Sequence, residues 1–124
     1  MKILYIENNL ANTLLMRKII GRLSTYHLYD SPDAESGLEL MVSLNPRVVL
    51  MDIDLPGMDG IQALKEIRHR FDFAQKTPVI AVTADAMPAH IELGLEQGFF
   101  DYITKPIDIN KLVNSLELAT KVEA

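Results

Sequence analysis

The chain has 124 residues, of which 48% are hydrophobic, 23% charged and none cysteine. That length suits one domain with one core, and the lack of cysteine excludes disulfides, thiolate zinc sites and a cysteine nucleophile. Twelve Lys and Arg against 17 Asp and Glu leave a net charge of −5. No nucleic acid partner is expected, because affinity for a polyanion comes largely from clustered basic residues.

The local basic spot Arg68-His69-Arg70 reads as a solvated helix end. No apolar run approaches the roughly 18 residues of a membrane span. The N-terminal MKILYIENN lacks the long apolar region and small-residue cleavage site of a signal peptide. A soluble, cytoplasmic single domain without membrane contact is therefore expected.

Short apolar runs alternate with helix-period stretches along the whole chain. Ile3-Leu4-Tyr5-Ile6 predicts a strand that stops at Glu7-Asn8-Asn9. From Leu10, apolar residues recur at Leu15, Ile19 and Leu23, with Met16 and Ile20 widening the stripe of an amphipathic helix. Tyr26 to Tyr29 reads as a second, less apolar strand. Ser31-Pro32-Asp33 then punctuates, and Ala34, Leu38, Met41 and Val42 mark a helical face ending at Asn45-Pro46.

Val48-Val49-Leu50-Met51 has no polar alternation, which implies a strand buried on both faces. The turn Pro56-Gly57-Met58-Asp59-Gly60 leads into a helix marked by Ile61, Leu64, Ile67 and Phe71. A fourth buried strand follows over Pro78 to Val82, then a helix from Met87 to Gln97 closed by Gly98. Phe99 to Ile103 predicts a fifth strand. Ile109, Leu112, Val113, Leu116 and Ala119 mark a last helix that starts near Asp108. Five strands alternating with five helices predict βαβ units, a parallel sheet and helices on both faces, in one of a few doubly wound orders.

In such sheets ligands bind beyond the carboxyl ends of the strands. Glu7 and Asn8 follow the first strand, and Asp52 and Asp54 the third. Thr83, Ala84 and Asp85 follow the fourth, and Thr104, Lys105 and Pro106 the fifth. Taken singly, each has a plain role as cap, turn or exposed loop residue. Acid, acid, hydroxyl and lysine at the ends of four different strands have no stability reason to coincide. Together they suit acyl-phosphate chemistry. A hard cation bridges carboxylate and phosphate oxygens, a carboxylate attacks phosphorus, and a lysine neutralises charge.

The segments KILYIENN, VVLMDIDLPGMDG, PVIAVTADAM and DYITKP, in this order and spacing, resemble the receiver domain of two-component response regulators. Receivers of hybrid sensor kinases and of single-domain regulators are the most similar in spacing. The resemblance covers residues 1–124 and implies a flavodoxin-like (βα)5 sandwich with strand order 2-1-3-4-5. It implies Asp52 as phosphoacceptor, with phosphoryl supplied by a histidine kinase or histidine phosphotransfer protein.

It further implies Thr83 as the switch hydroxyl, Ala84 as a backbone N–H donor to the phosphoryl group, and Lys105 as its charge partner. The proline after Lys105 is usually cis in the family. Tyr102 matches the aromatic switch position, although an aromatic in an edge strand is also simply half-buried. Mg²⁺ is the implied cofactor, held by Glu7, Asn8, Asp52 and the backbone carbonyl of Asp54. A downstream protein partner would bind the face of the fourth helix, fifth strand and fifth helix. No enzymatic activity is implied beyond the domain's own phosphotransfer and dephosphorylation.

One departure stands out. Receivers usually carry two adjacent acids after the first strand, and here the pair is Glu7-Asn8. An amide oxygen can ligate a hard cation but brings no charge. At an effective dielectric near 20, a charge lost about 4 Å from a cation removes roughly 4 kcal/mol per unit charge. Weakened Mg²⁺ affinity is expected, with Glu7, Asp52 and Asp54 as a carboxylate cluster for the cation to hold together. The Asp54 side chain, and more distantly Asp85, are candidates to compensate.

Two other readings stay open at this point. A degenerate receiver would bind partners without phosphorylation because Asn8 has disabled the metal site. Asp52-Ile53-Asp54 also looks like the Asp-x-Asp of haloacid-dehalogenase-type phosphatases. Against that, Leu55 is not the expected Thr or Val, no acidic pair follows Lys105, and no cap domain fits. A nucleotide-binding enzyme lacks support, since no Gly-x-Gly-x-x-Gly follows the first strand and no Walker loop is present.

Overall fold

Alternate residues of the central strands enter two different cores. Ile3 and Tyr5, Val48 and Leu50, and Ile80 and Val82 pack on one side of the sheet with Met16, Ile19, Ile20, Leu112 and Leu116. Leu4 and Ile6, Val49 and Met51, and Val79 and Ala81 pack on the other with Leu38, Met41, Leu64 and Ile67. Burying each of these side chains contributes on the order of 1.5–3 kcal/mol, so the two-sided arrangement dominates the stability.

The structure, a computed structural model, describes residues 1–121 apart from the side chain of Phe73. Five strands, β1 (Lys2–Ile6), β2 (His27–Ser31), β3 (Val48–Met51), β4 (Val79–Thr83) and β5 (Asp101–Thr104), alternate with five α-helices. The helices are α1 (Leu10–Gly21), α2 (Ala34–Leu44), α3 (Gly60–Arg70), α4 (Pro88–Gln97) and α5 (Ile109–Thr120). The strands pair in parallel in the order β2-β1-β3-β4-β5. This is the doubly wound, flavodoxin-like α/β fold anticipated from the alternation and the resemblance.

Helix ends follow local chemistry. Asn9, Asp33, Asp59 and Asp108 cap α1, α2, α3 and α5, each side chain accepting from an amide in the first turn. Each such cap is worth about 1 kcal/mol. Asn45 ends α2 in the left-handed region at φ 44, and Gly98 ends α4 at φ 115.

The structure corrects several boundaries. β2 runs on to Ser31 because Asp30 and Ser31 pair with Tyr5 and Ile6, while Tyr26 stays outside it. β5 begins only at Asp101, since Phe99 turns into the core beneath α2 and α3 and the Phe100 N–H bonds the Val79 carbonyl at 2.8 Å. Thr83 lies inside β4 rather than after it. On α1, Thr13 is buried, whereas Leu10 and Leu15 are exposed.

Arg68 is not part of a solvated helix end. Its Nη1 donates to the carbonyls of Ala74 and Thr77 at 2.9 and 2.7 Å, which ties α3 to a 3₁₀ turn at Asp72–Ala74. Periodicity gave no sign of that turn.

Candidate functional site

The period of two that sorts the cores also selects the site. Glu7 stands two residues beyond Tyr5, Asp52 two beyond Leu50, and Lys105 two beyond Ile103, and those three precursors share one core. All three polar residues therefore emerge on the same side at the carboxyl edge of β1, β3 and β5, with β4 between the last two. Backbone bonds lock the edge, with the Asp52 N–H on the Ile6 carbonyl at 3.1 Å and the Lys105 N–H on the Thr83 carbonyl at 2.9 Å. The Lys105–Pro106 peptide is cis.

Lys105 Nζ donates to Glu7 Oε1 at 2.5 Å and to Asp52 Oδ2 at 2.8 Å. Glu7 is only 3% exposed and Asp52 7%. Asp52 Oδ1 accepts from the Asp54 N–H at 3.0 Å. Burial alone pushes the Asp52 carboxyl up. The hydrogen bonds from Lys105, the Asp54 amide and Thr83 outweigh it and hold Asp52 below the usual carboxylate range. Burial likewise pushes Lys105 down, but its bonds to Asp52 and Glu7 prevail and raise it. At neutral pH the cleft thus presents an ionised carboxylate beside an ammonium.

Tyr5 is a member of the site that periodicity hid among apolar residues. Its hydroxyl donates to Glu7 Oε1 at 3.3 Å, and the Asn8 N–H donates to Glu7 Oε2 at 3.1 Å. Burial, and then the neighbouring Glu7 charge, keep the phenol protonated far above neutral pH. The only available signal was its i, i+2 relation to Glu7 on one strand face.

Thr83 is fully buried, and its side chain is near enough to Asp52 to help hold the carboxyl down. Its Oγ1 also accepts from the Asp85 N–H at 3.4 Å. Ala84 follows at an exposed position. The Tyr102 hydroxyl donates to the Asp85 carbonyl at 2.8 Å, and its ring lies against α4 at Gly94, where a Cβ would approach it to 3.1 Å. The register Ala81↔Tyr102 and Thr83↔Thr104 puts Thr83 and Tyr102 on the side opposite Lys105.

The expected cluster of Glu7, Asp52 and Asp54 is a pair instead. Lys105 draws Glu7 and Asp52 together, while Asp54 is exposed and meets Asp52 through its backbone. Among the described residues no group of three His, Cys, Asp or Glu side chains is placed to hold a metal ion. Asp85 gives no compensation. Its carboxylate accepts from the Met87 N–H at 3.2 Å and meets His90 Nδ1 at 2.6 Å, and these two contacts lower its pKa. The oxygen donors that remain, two carboxylates, the Asn8 amide and a backbone carbonyl, still suit a hard cation such as Mg²⁺. They bring one charge fewer than a second acid after β1 would.

The chain matches the response regulator receiver domain over residues 3–117. It belongs to that family. This receiver is 35% identical over 116 residues to the signal transduction histidine-protein kinase BarA of Escherichia coli (strain K12), a match covering 94% of this chain and 12% of that protein. It is 36% identical over 102 residues to the regulatory protein AtoC of the same strain, covering 82% of this chain and 22% of that protein. The receiver thus spans only a small part of the curated relatives it matches.

Among solved structures, it resembles the receiver domain of sensor histidine kinase PA1611 from Pseudomonas aeruginosa PAO1. The TM-score is 0.87 at 28% identity, covering 98% of both chains, and that structure has a magnesium ion coordinated in its active site cleft. The receiver is accordingly a module of two-component signalling, related to receivers carried by hybrid kinases. Among its described residues no helix is long and apolar enough to cross a membrane.

Proposed function

We propose that residues 1–124 act as a cytoplasmic phospho-accepting receiver, with Asp52 taking phosphoryl from a histidine kinase or a histidine phosphotransfer protein. The observation that carries this reading is the ionised, mostly buried Asp52 beside the Lys105 ammonium at 2.8 Å, beyond β3. In the transfer an Asp52 carboxylate oxygen forms a bond to phosphorus as the donor's P–N bond breaks. The histidine nitrogen keeps the electron pair. Lys105 follows the charge onto the phosphoryl oxygens, Thr83 and the Ala84 N–H donate to them, and later attack by water releases phosphate and restores Asp52.

Glu7, Asp52, Asn8 and the Asp54 carbonyl would hold Mg²⁺, which when bound offsets charge on the phosphoryl oxygens. The added charge, about −1.5 to −2 by analogy with other phosphorylations, biases a two-state element. Thr83 and Tyr102 join the cleft to α4 through Asp85, so the α4–β5–α5 face carries the output. Met87, Leu93, Phe100 and Leu118 are exposed apolar side chains along that stretch, which suits a protein partner.

A degenerate receiver is the second reading, favoured by Asn8 and by the lack of a three-acid cluster among the described residues. Incubation with acetyl phosphate and Mg²⁺, read by intact mass, separates the two. Wild type is expected to gain one phosphoryl group, Asp52→Asn none, and Asn8→Asp to gain it faster. No gain in wild type with gain in Asn8→Asp selects the degenerate reading, and equal gain in Asp52→Asn overturns the acceptor.

A further inference from the structure

We propose that Tyr5 is a positioning residue whose buried phenol pins Glu7 against Lys105, sharing that lysine between two carboxylates and withholding Glu7 from an incoming divalent cation. The inference rests on the reading of this cleft as the cation and phosphoryl site.

Tyr5 is fully buried on β1, in the core shared with α1 and α5. A phenol placed among aliphatic side chains must find a partner for its O–H. Leu or Val would satisfy the strand pattern and fill the same face without that demand. The partner is Glu7 Oε1 at 3.3 Å, longer than most O–H···O bonds, and the same oxygen receives Lys105 Nζ at 2.5 Å. Oε2 receives the Asn8 N–H at 3.1 Å.

Glu7, itself 3% exposed, therefore has three donors on its two oxygens and little room to turn. A carboxylate offers about four lone-pair sites. To bind a cation through both oxygens, Glu7 must release a donor, and Tyr5 makes that release harder because a freed phenol would be left buried without a partner. The neighbouring amide at Asn8 adds no charge to draw the cation in. Tyr5 thereby favours the internal ammonium over an external metal as the counter-charge of the cleft.

Tyr5→Phe removes one oxygen and keeps the ring. The test is an NMR titration with MgCl₂, with lysine ammonium nitrogens labelled and the amides of Asn8 and Asp52 followed. Loss of a hydrogen bond worth ~1 kcal/mol is expected to tighten Mg²⁺ binding about fivefold. The Lys105 ammonium resonance is expected to move in the metal-free protein. Unchanged or weaker Mg²⁺ binding, or a Lys105 resonance as in wild type, overturns the proposal.

Tyr5→Leu controls for packing. It should destabilise the fold more than Tyr5→Phe yet give the same gain in affinity. A gain in Tyr5→Leu alone would assign the effect to packing and also overturn the proposal. Neither readout requires phosphoryl transfer. Failure of Asp52 to accept phosphoryl, seen by mass, is therefore distinguishable from failure of Tyr5 to position Glu7.

Discussion

Replacing Lys105 with methionine keeps most of the stem's volume and deletes the ammonium between Glu7 and Asp52. Both carboxylate oxygens lie within 2.8 Å of that one nitrogen, so the two charges stand no more than about 5 Å apart. At an effective dielectric near 20 their repulsion is about 3 kcal/mol, which favours proton uptake by whichever group yields. In Lys105→Met that carboxyl is raised above its unfolded value near 4. The penalty is therefore fully present above the raised value and disappears as pH falls toward 4.

Wild type behaves in the opposite sense. Its depressed Asp52 contributes stability at neutral pH and loses it only as pH falls through the lowered value. Thermal unfolding without divalent cation is the assay. For a domain of this size about 3 kcal/mol corresponds to about 10 °C in Tm. The deficit of Lys105→Met against wild type should be about that large at pH 7.5 and shrink steadily toward pH 4.5. Added Mg²⁺ should recover more of it than it adds to wild type. A deficit that is absent, or the same at both pH values, refutes the charge reasoning.

Gly60 opens α3 directly beneath the acceptor loop, and a Cβ there would lie 2.7 Å from the Ile53 Cα and 2.8 Å from the Asp52 carbonyl oxygen. Because backbone cannot yield as a side-chain tip does, Gly60→Ala should cost about 3 kcal/mol and weaken beryllofluoride binding at Asp52. Gly21→Ala, with nothing within 4 Å of its Cβ, should leave both unchanged within about 1 kcal/mol. Arg68→Ala strips the Ala74 and Thr77 carbonyls of their charged donor and should lower stability by about 3 kcal/mol. It should leave the rate of phosphorylation by acetyl phosphate as in wild type, because that contact lies at the opposite end of the sheet.

Period-two burial was readable because β1, β3 and β4 are covered on both faces, so their sequences are continuous apolar runs. The edge strands were less readable. β2 and β5 have one paired side each, and their ends are decided by partners such as Tyr5↔Asp30 and Ile80↔Asp101 rather than by their own apolar content. Leu15 looked like core because helical spacing alone cannot tell which side of a stripe meets the sheet. Arg68 looked solvated because its carbonyl partners lie in a turn without any periodic signal.

In the cleft, the residue types at the strand ends were legible, but their contacts depend on side-chain reach. Glu7 has one methylene more than Asp, which lets it meet Lys105 directly. Tyr5 carries an oxygen that an apolar pattern does not register.

Those contacts change the meaning of Asn8. Glu7, Asp52 and Lys105 together carry a net charge of −1, with one ammonium touching both mostly buried carboxylates. An acid at position 8, which is exposed, would make that −2 without adding a donor. Such a cleft would attract a cation more strongly. With Asn8 that attraction is smaller, while Lys105 joins Glu7 to Asp52 and the Asp54 N–H holds Asp52 Oδ1. Weaker metal binding is the expected consequence of that missing charge, and a Mg²⁺ titration of wild type beside Asn8→Asp checks it.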